Sequence, residues 1–313
     1  MRRSLAAPST LRHMQAGRQM VGGRMNRLVV MGLGYCGTEV ARLARQAGFA
    51  VQGTRREPPA GSSALRFAGA GPALAEATHL LVTAAPGAEG DPVLRAHAGV
   101  LEQARTLRWV GYISTTAVYG DRGGDWVTET TPPAPRQERA IRRLQAEQDW
   151  ASALAGRGVA LDLFRTGGIY GPGRSALDEL RAGQARRVDR PGHLFSRIHR
   201  DDIALAVLAA MQSPGTPEAP RVLHLVDDEP ASGAAVVEEA ARLLGIAPPP
   251  LLPFEQALEG MSAMGRSFWA ESRRVSSGAT QQELGLRWRY PSYRQGLRGI
   301  LAAEAGQHGA EGR

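Results

Sequence analysis

The sequence predicts an α/β fold, a doubly wound parallel sheet covered by helices on both faces, and three observations point to it. A short apolar run, Leu28-Val29-Val30-Met31, breaks into glycines at 32, 34 and 37 and enters a helical pattern. From Asn26 onward strand-like and helix-like segments alternate, which is how a parallel sheet is built. The 313 residues allow one large α/β domain or two small ones, with an ample core.

The first strand ends at Met31, and Val40, Leu43, Ala44 and Ala47 repeat at helical spacing up to Gly48, placed as a helix C-cap. Phe49-Ala50-Val51 starts the second strand. His79 to Thr83 is the next, running into Ala84-Ala85-Pro86, and a helix follows over about Val93 to Arg105. Trp109 to Ile113 is a strand ending in Ser114-Thr115-Thr116, and Gly120 to Pro135 reads as loop, punctuated by Gly123-Gly124 and Pro132-Pro133. Arg136 to Leu154 is a polar-faced helix, Val159 to Phe164 a strand, Asp201 to Met211 a helix capped by its acids, and Arg221 to Val226 the last strand. The rest mixes helix and loop: Ala234 to Leu244, the proline run 248–250, Phe254 to Gly260, and Pro291 to Ala303. Residues 1–25 hold five arginines and no acid, with further methionines at 14, 20 and 25, and are expected to be a disordered extension or a start set too early. The C-terminal tail, 306–313, is expected to fray.

Composition excludes several classes of function. No apolar run approaches the length of a membrane span, so a soluble protein is expected. The single cysteine, Cys36, rules out an intramolecular disulfide and fits a reducing cytoplasm. The net charge is +8, but residues 1–25 carry five of those charges, and no basic stripe interleaved with aromatics follows, which argues against nucleic acid as partner. His, Cys, Asp and Glu show no metal-ligand spacing, and there is no G-x-S-x-G for nucleophilic hydrolysis. All 38 basic side chains are arginine; the chain has no lysine.

Between strand and helix, G-x-G-x-x-G has a mechanism for holding a dinucleotide. The first glycine makes the turn, the second lets backbone approach a pyrophosphate, and the third lets helix and strand pack close. The stretch Gly32, Leu33, Gly34, Tyr35, Cys36, Gly37 is therefore the candidate phosphate cradle. Roughly 20 residues beyond such a loop a carboxylate would bind the adenosine ribose and favour NAD, whereas arginine suits a 2′-phosphate. Here Thr54 stands at the acid position with Arg55 and Arg56 after it, which selects NADP over NAD.

Four stretches in order carry a family likeness: Gly32 to Gly37; Ile113-Ser114-Thr115-Thr116-Ala117-Val118-Tyr119-Gly120-Asp121; Phe164-Arg165-Thr166-Gly167-Gly168-Ile169-Tyr170-Gly171-Pro172-Gly173; and Arg197-Ile198-His199-Arg200-Asp201-Asp202. On these the chain resembles the extended short-chain dehydrogenase superfamily, also called the NAD-dependent epimerase/dehydratase family. Glu283-Leu284-Gly285, Tyr290-Pro291 and Gly296-Leu297 bring it closer to the YeeZ-like branch. The resemblance implies a Rossmann domain over 26–166 plus about 196–226, and a substrate lobe over about 167–195 and 227–305. It also implies cofactor contacts at Thr83, Ala84, Ala85 and Gly168, and the possibility of a homodimer.

In that family a Ser or Thr orients the substrate hydroxyl, a Tyr moves the proton, and a Lys one helical turn later lowers the Tyr pKa and holds the nicotinamide ribose. Thr115 matches the Ser/Thr. Aligned on Glu147, the Tyr position is Arg139 and the Lys position Arg143. A guanidinium stays protonated and cannot shuttle a proton, so the Tyr-x-x-x-Lys pair is missing, although Arg143 can still hold the ribose. Tyr119, Tyr170 and His199 are the alternative proton carriers; for the two tyrosines packing is the plainer role, for His199 a satisfied structural histidine. Phe268-Trp269 with Glu271 and Arg273-Arg274 is a candidate lining that grips an anionic group. The expectation is an oxidoreductase or epimerase acting on a small carbonyl, hydroxyl or sugar-nucleotide substrate, with a non-catalytic NADP(H) sensor or scaffold as the alternative.

Overall fold

The computed structural model describes residues 20–21 and 24–311, with side chains from 25 to 306. Residues 1–19, on which most of the expected disordered extension falls, lie outside the described ones. Its end forms a two-residue hairpin, β1 (Met20–Val21) against β2 (Arg24–Met25).

The framework is one seven-stranded, all-parallel sheet. Its strands are β3 (Arg27–Met31), β4 (Ala50–Arg55), β5 (Leu65–Arg66), β6 (His79–Val82), β7 (Trp109–Thr115), β9 (Ala160–Thr166) and β13 (Arg221–Leu225). The spatial order is β13-β9-β7-β6-β3-β4-β5, so the chain starts in the middle, winds to one edge, and returns to wind to the other. That reversal creates a crevice beyond the carboxyl ends of β3 and β6, where open α/β sheets bind ligands. The sheet interior is apolar because both faces are covered: Leu28, Val30, Leu80, Leu81 and Val110 have no solvent exposure.

On one face α1 (Tyr35–Gln46) packs against α6 (Arg200–Gln212), burying Val40, Ala41, Ala44, Ala204 and Val207. On the other lie α2 (Gly71–Ala75), α3 (Pro92–Gln103) and α4 (Glu138–Leu154), with Trp150 and Leu154 set into the core around Tyr112. Asp91 caps α3 by accepting from the amides of Val93 and Leu94.

Satellite pieces gather beside the carboxyl edge. Three are parallel strand pairs: β10 (Gly168–Tyr170) with β12 (Arg197–His199), β11 (Arg187–Asp189) with β14 (Leu251–Pro253), and β8 (Trp126–Val127) with β15 (Arg274–Val275). The helices α5 (Ala176–Arg181), α7 (Gly233–Leu244) and α11 (Tyr293–Glu311) enclose a second core of Tyr170, Leu177, Ala240, Tyr293 and Leu297. Short α8 (Phe254–Glu259), α9 (Ala263–Trp269) and α10 (Gly278–Glu283) complete it. No described helix is long and apolar enough to cross a membrane.

Several expectations are corrected. The sheet has an extra edge strand, β5, too short to leave a periodic signal. The 120–135 loop carries β8, which pairs with residues about 150 further along the chain. Helix α6 is capped by His199 rather than by its acids, since the ring Nδ1 accepts from the amide of Asp201 at 3.2 Å. The tail expected to fray is helical in its backbone to Glu311, because extending an existing helix adds a hydrogen bond per residue without a new nucleus.

Candidate dinucleotide and substrate site

The glycine turn sits in the crevice between β3 and β6. Gly32 adopts φ +117°, a conformation that side-chain-bearing residues rarely reach. Its peptide is held from both flanking strands. The Gly32 amide donates to Thr54 Oγ1 at 3.1 Å, and its carbonyl accepts from Thr83 Oγ1 at 2.6 Å. A Cβ at Gly37 would lie 2.1 Å from the Gly32 carbonyl oxygen, so the third glycine sets how closely α1 approaches the strand. A Cβ at Gly34 would meet nothing within 4 Å. Open space therefore lies over the first turn of α1, where backbone amides lack intrahelical partners and the helix dipole favours anions. These features fit a pyrophosphate.

Two of the loop residues do other work. The Tyr35 hydroxyl donates to the Pro172 carbonyl at 3.0 Å, and its ring lies 5.0 Å from the Arg200 guanidinium and 5.7 Å from that of Arg174. Burial raises the Tyr35 phenol to about 12 and the Cys36 thiol to about 11, so Cys36 stays protonated and fills space. Leu33 packs on Gly53, where a Cβ would strike its side chain. Thr54 is fully buried under the turn, and Arg55 and Arg56, which follow it, are exposed, their side chains without a hydrogen bond or ion pair among the described residues.

Further along the carboxyl edge a cavity of about 350 Å³ opens between the ends of β7 and β9 and the satellite lobe. Thr115, Arg139, Gly168, Phe268, Trp269, Glu271 and Arg273 all line it, joining residues more than 150 positions apart in sequence. Thr115 Oγ1 accepts from the Ala117 amide at 3.2 Å, which fixes its rotamer at the cavity edge. The Arg139 guanidinium lies 4.7 Å over the Phe268 ring and has no hydrogen bond or ion pair among the described residues. Trp269 is wedged by His193, stacked 5.1 Å from it, and by Phe195 edge-on at 5.0 Å.

Glu271 and Arg273 form an ion pair at 2.8 Å, with side chains 7% and 15% exposed. Arg273 also donates to the Gly120 carbonyl, and burial lowers its pKa from the usual arginine range. Glu271 Oε1 has no hydrogen-bond partner among the described residues. Arg274 turns away, donating to the Gly124 carbonyl and stacking on Trp126.

The other candidates lie elsewhere. Arg143 is half-buried against β7, its Nη1 donating to the Ile113 carbonyl at 2.6 Å. Tyr119 is fully buried in a relay. Arg165 donates to the Tyr119 hydroxyl at 2.8 Å, and that hydroxyl meets His224 Nε2 at 2.5 Å. The other ring nitrogen of His224 faces the Ser276 carbonyl at 2.7 Å, which makes Nε2 the acceptor. Beneath lies a bidentate pair of Arg165 with Glu147, which also binds Ser114. His199 is 1% exposed between Tyr170 and Tyr290, and burial depresses it to about 4, so it is neutral at pH 7. Neither Tyr119 nor His199 is among the cavity residues. Among the described residues no cluster of three His, Cys, Asp or Glu could hold a metal ion.

No protein-family profile matches the chain. A conserved protein of unknown function from Silicibacter pomeroyi DSS is 39% identical, and its structure superposes with a TM-score of 0.81 over 90% of this chain and 99% of its own. The structure of a candidate NAD-dependent epimerase/dehydratase from Methylobacillus flagellatus is 27% identical, with a TM-score of 0.67 over the same shares. YeeZ of Escherichia coli K12 is 26% identical over 289 residues, covering 85% of this chain and 97% of YeeZ.

Proposed function

The chain belongs to the NAD-dependent epimerase/dehydratase superfamily, in its YeeZ-like branch, and from that premise we propose an NADP-dependent reductase or epimerase of small carbonyl or hydroxyl compounds. The observation that carries the reading is the turn at the sheet's switch point, with Gly32 clamped from two strands and room over Gly34 for a pyrophosphate. The adenosine end lies past β4, where the arginines 55 and 56 and the missing carboxylate suit a 2′-phosphate. Thr83, Ala84, Ala85 and Gly168 would hold the cofactor between the turn and the cavity, and Arg143 would hold its nicotinamide ribose. When bound, the nicotinamide supplies hydride transfer to or from a substrate carbon.

Thr115 orients the substrate oxygen. Arg139 adds positive charge to the cavity, and a guanidinium cannot take the proton-carrying role of the family's tyrosine. The proton comes from solvent through the cavity mouth. A second reading, a non-catalytic NADP(H) sensor, is favoured by one observation: no Tyr, His or Cys is among the cavity residues.

Titration of NADPH and NADH against the protein tests the reading, with the double variant Arg55→Ala/Arg56→Ala beside wild type. NADPH should bind at least tenfold more tightly than NADH, and the double variant should erase the difference. Equal affinities in wild type sink the NADP assignment. Tight NADPH binding with no loss of NADPH absorbance over a broad carbonyl panel establishes the sensor instead.

A further inference from the structure

We infer that the cavity selects a small anionic polyol, its anionic group held by Arg139 and one hydroxyl held by Glu271 Oε1; this rests on the proposed dinucleotide-dependent reading. Three guanidiniums, Arg139, Arg197 and Arg273, and a single carboxylate, Glu271, stand in the wall. The balance is positive, so the wall repels ammonium groups and attracts anions.

The three arginines are not equivalent. Arg197 spends Nη1 on the carbonyls of Phe195 and Ala231 at 2.9 and 2.7 Å. Arg273 is held by the Gly120 carbonyl and by Glu271, both at 2.8 Å. Arg139 alone of the three has no acceptor among the described residues, and it is exposed, with its plane fixed over Phe268. It is the one whose fork is open to a carboxylate or phosphate.

Glu271 presents the complementary need. One carboxylate oxygen is neutralised by Arg273, while Oε1 is buried in the cavity wall with no donor among the described residues. An unpaired buried acceptor is costly, and a ligand hydroxyl that donates to it recovers that cost. A second anion placed there would be repelled, so the hydroxyl and the anion must sit at different ends of the ligand. The wall also includes the hydroxyl-bearing Thr115, Thr116 and Ser196, and the indole of Trp269 on which a C–H face can lie. A cavity of about 350 Å³ is at the small end of ligand pockets, which run from roughly 300 to 1,000 Å³, and suits a chain or ring of about six carbons.

The test first titrates NADPH on the wild-type protein, then measures four probes against the NADPH-loaded protein by calorimetry. D-gluconate and D-glucose 6-phosphate carry both features, D-glucitol lacks the anion, and hexanoate lacks the hydroxyls. At least one of the first two should bind ten times more tightly than glucitol and hexanoate, and the better one says whether the anion is carboxylate or phosphate. Arg139→Gln should remove the preference over glucitol, and Glu271→Gln the preference over hexanoate. Circular dichroism and a melting curve accompany Glu271→Gln, which leaves Arg273 without its charge partner. If that variant is unfolded, the Arg139→Gln result alone decides. NADPH binding with no preference for either anionic polyol overturns this inference and leaves the dinucleotide reading standing; no NADPH binding overturns both.

Discussion

The Thr83 hydroxyl donates to the Gly32 carbonyl at 2.6 Å, tying the end of β6 to the turn after β3 across the switch point of the sheet. Thr54 grips the amide side of the same glycine from β4. The turn is thus fixed by its neighbours before any ligand arrives, so the carbonyl and amide of Gly32 are already satisfied and the open groups are those of the first turn of α1. Preorganisation of this kind lowers the ordering cost that binding would otherwise carry.

The second and third glycines of the turn should respond oppositely to a methyl group. Gly34→Ala puts a Cβ in open space at a backbone φ of −82° that alanine accepts, so melting should shift little. The methyl would occupy the space over the helix terminus, and NADPH affinity should fall at least tenfold. Gly37→Ala drives a Cβ to 2.1 Å from the Gly32 oxygen and 3.2 Å from Val30 Cγ1, which must separate α1 from β3. It should lower the melting temperature by several degrees as well as weakening binding, since overpacking costs about 1–3 kcal/mol. A stable Gly37→Ala protein with full NADPH affinity would contradict the role given to that contact.

How much of this was readable in the sequence depends on how local each signal is. The turn and the main strands were, because four or five apolar residues in a row followed by glycines at fixed spacing admit few other structures. Strand β5 was not, since Leu65-Arg66 is held only by pairing with Thr54 and Arg55. The cap of α6 is not legible in the sequence, because Asp is a common cap, whereas here the buried ring of the preceding His199 accepts from the Asp201 amide. Which of Glu271, Arg273 and Arg274 faces the cavity follows from the pairing of Arg274 with Trp126, a contact no local pattern encodes. Arg139 stands out in the sequence as a cation where the family resemblance expects a tyrosine, but its lack of any acceptor among the described residues is a property of the assembled cavity.

Arg143 has five donors, and the Ile113 carbonyl takes one at 2.6 Å. The ring of Tyr112 lies 5.6 Å below the guanidinium and fixes its plane. Arg143→Met should raise the NADPH dissociation constant about tenfold, equal to about 1.4 kcal/mol, and lower stability because the Ile113 carbonyl loses its charged donor. Reduced stability with unchanged NADPH affinity would restrict Arg143 to bracing the strand.

Tyr119→Phe separates a structural from a catalytic tyrosine. The hydroxyl passes a hydrogen bond from Arg165 to His224, and all three side chains are buried. Its loss leaves a guanidinium donor and an imidazole acceptor unpaired, at a cost of about 1–3 kcal/mol. The urea midpoint should fall accordingly, with NADPH affinity within about twofold of wild type. A normal midpoint combined with lost turnover would return Tyr119 to the reacting centre.

Asp227 controls how stability varies above neutrality. It is 1% exposed with no side-chain partner for its carboxylate among the described residues, and burial pushes its pKa up to about 8, against the pull of Arg197 and of the Glu229 amide and with the Asp228 and Glu229 charges adding to the rise. Unfolded, the carboxyl returns to about 3.9. The folded chain therefore holds a proton that the unfolded chain has released, so this contribution is full below about pH 4 and is lost as pH rises through about 8. The buried rings of His79, His193 and His199, each lowered to about 4, act with the opposite sign, costing stability as pH falls from the ordinary histidine value toward 4. Between pH 6.5 and 8 each of these histidines, half protonated at about 6.5 in the unfolded chain, returns about 0.4 kcal/mol and so offsets most of the aspartate's loss in wild type. Asp227→Asn, neutral at every pH, keeps the histidine gain without the aspartate loss. Across that window the wild-type urea midpoint should therefore fall relative to the variant by the equivalent of about 1–2 kcal/mol, given about 1.4 kcal/mol per pH unit for one proton. The variant should be the more stable protein at pH 8. If variant and wild type trace parallel curves from pH 6.5 to 8, the buried carboxyl is already ionised in the native state.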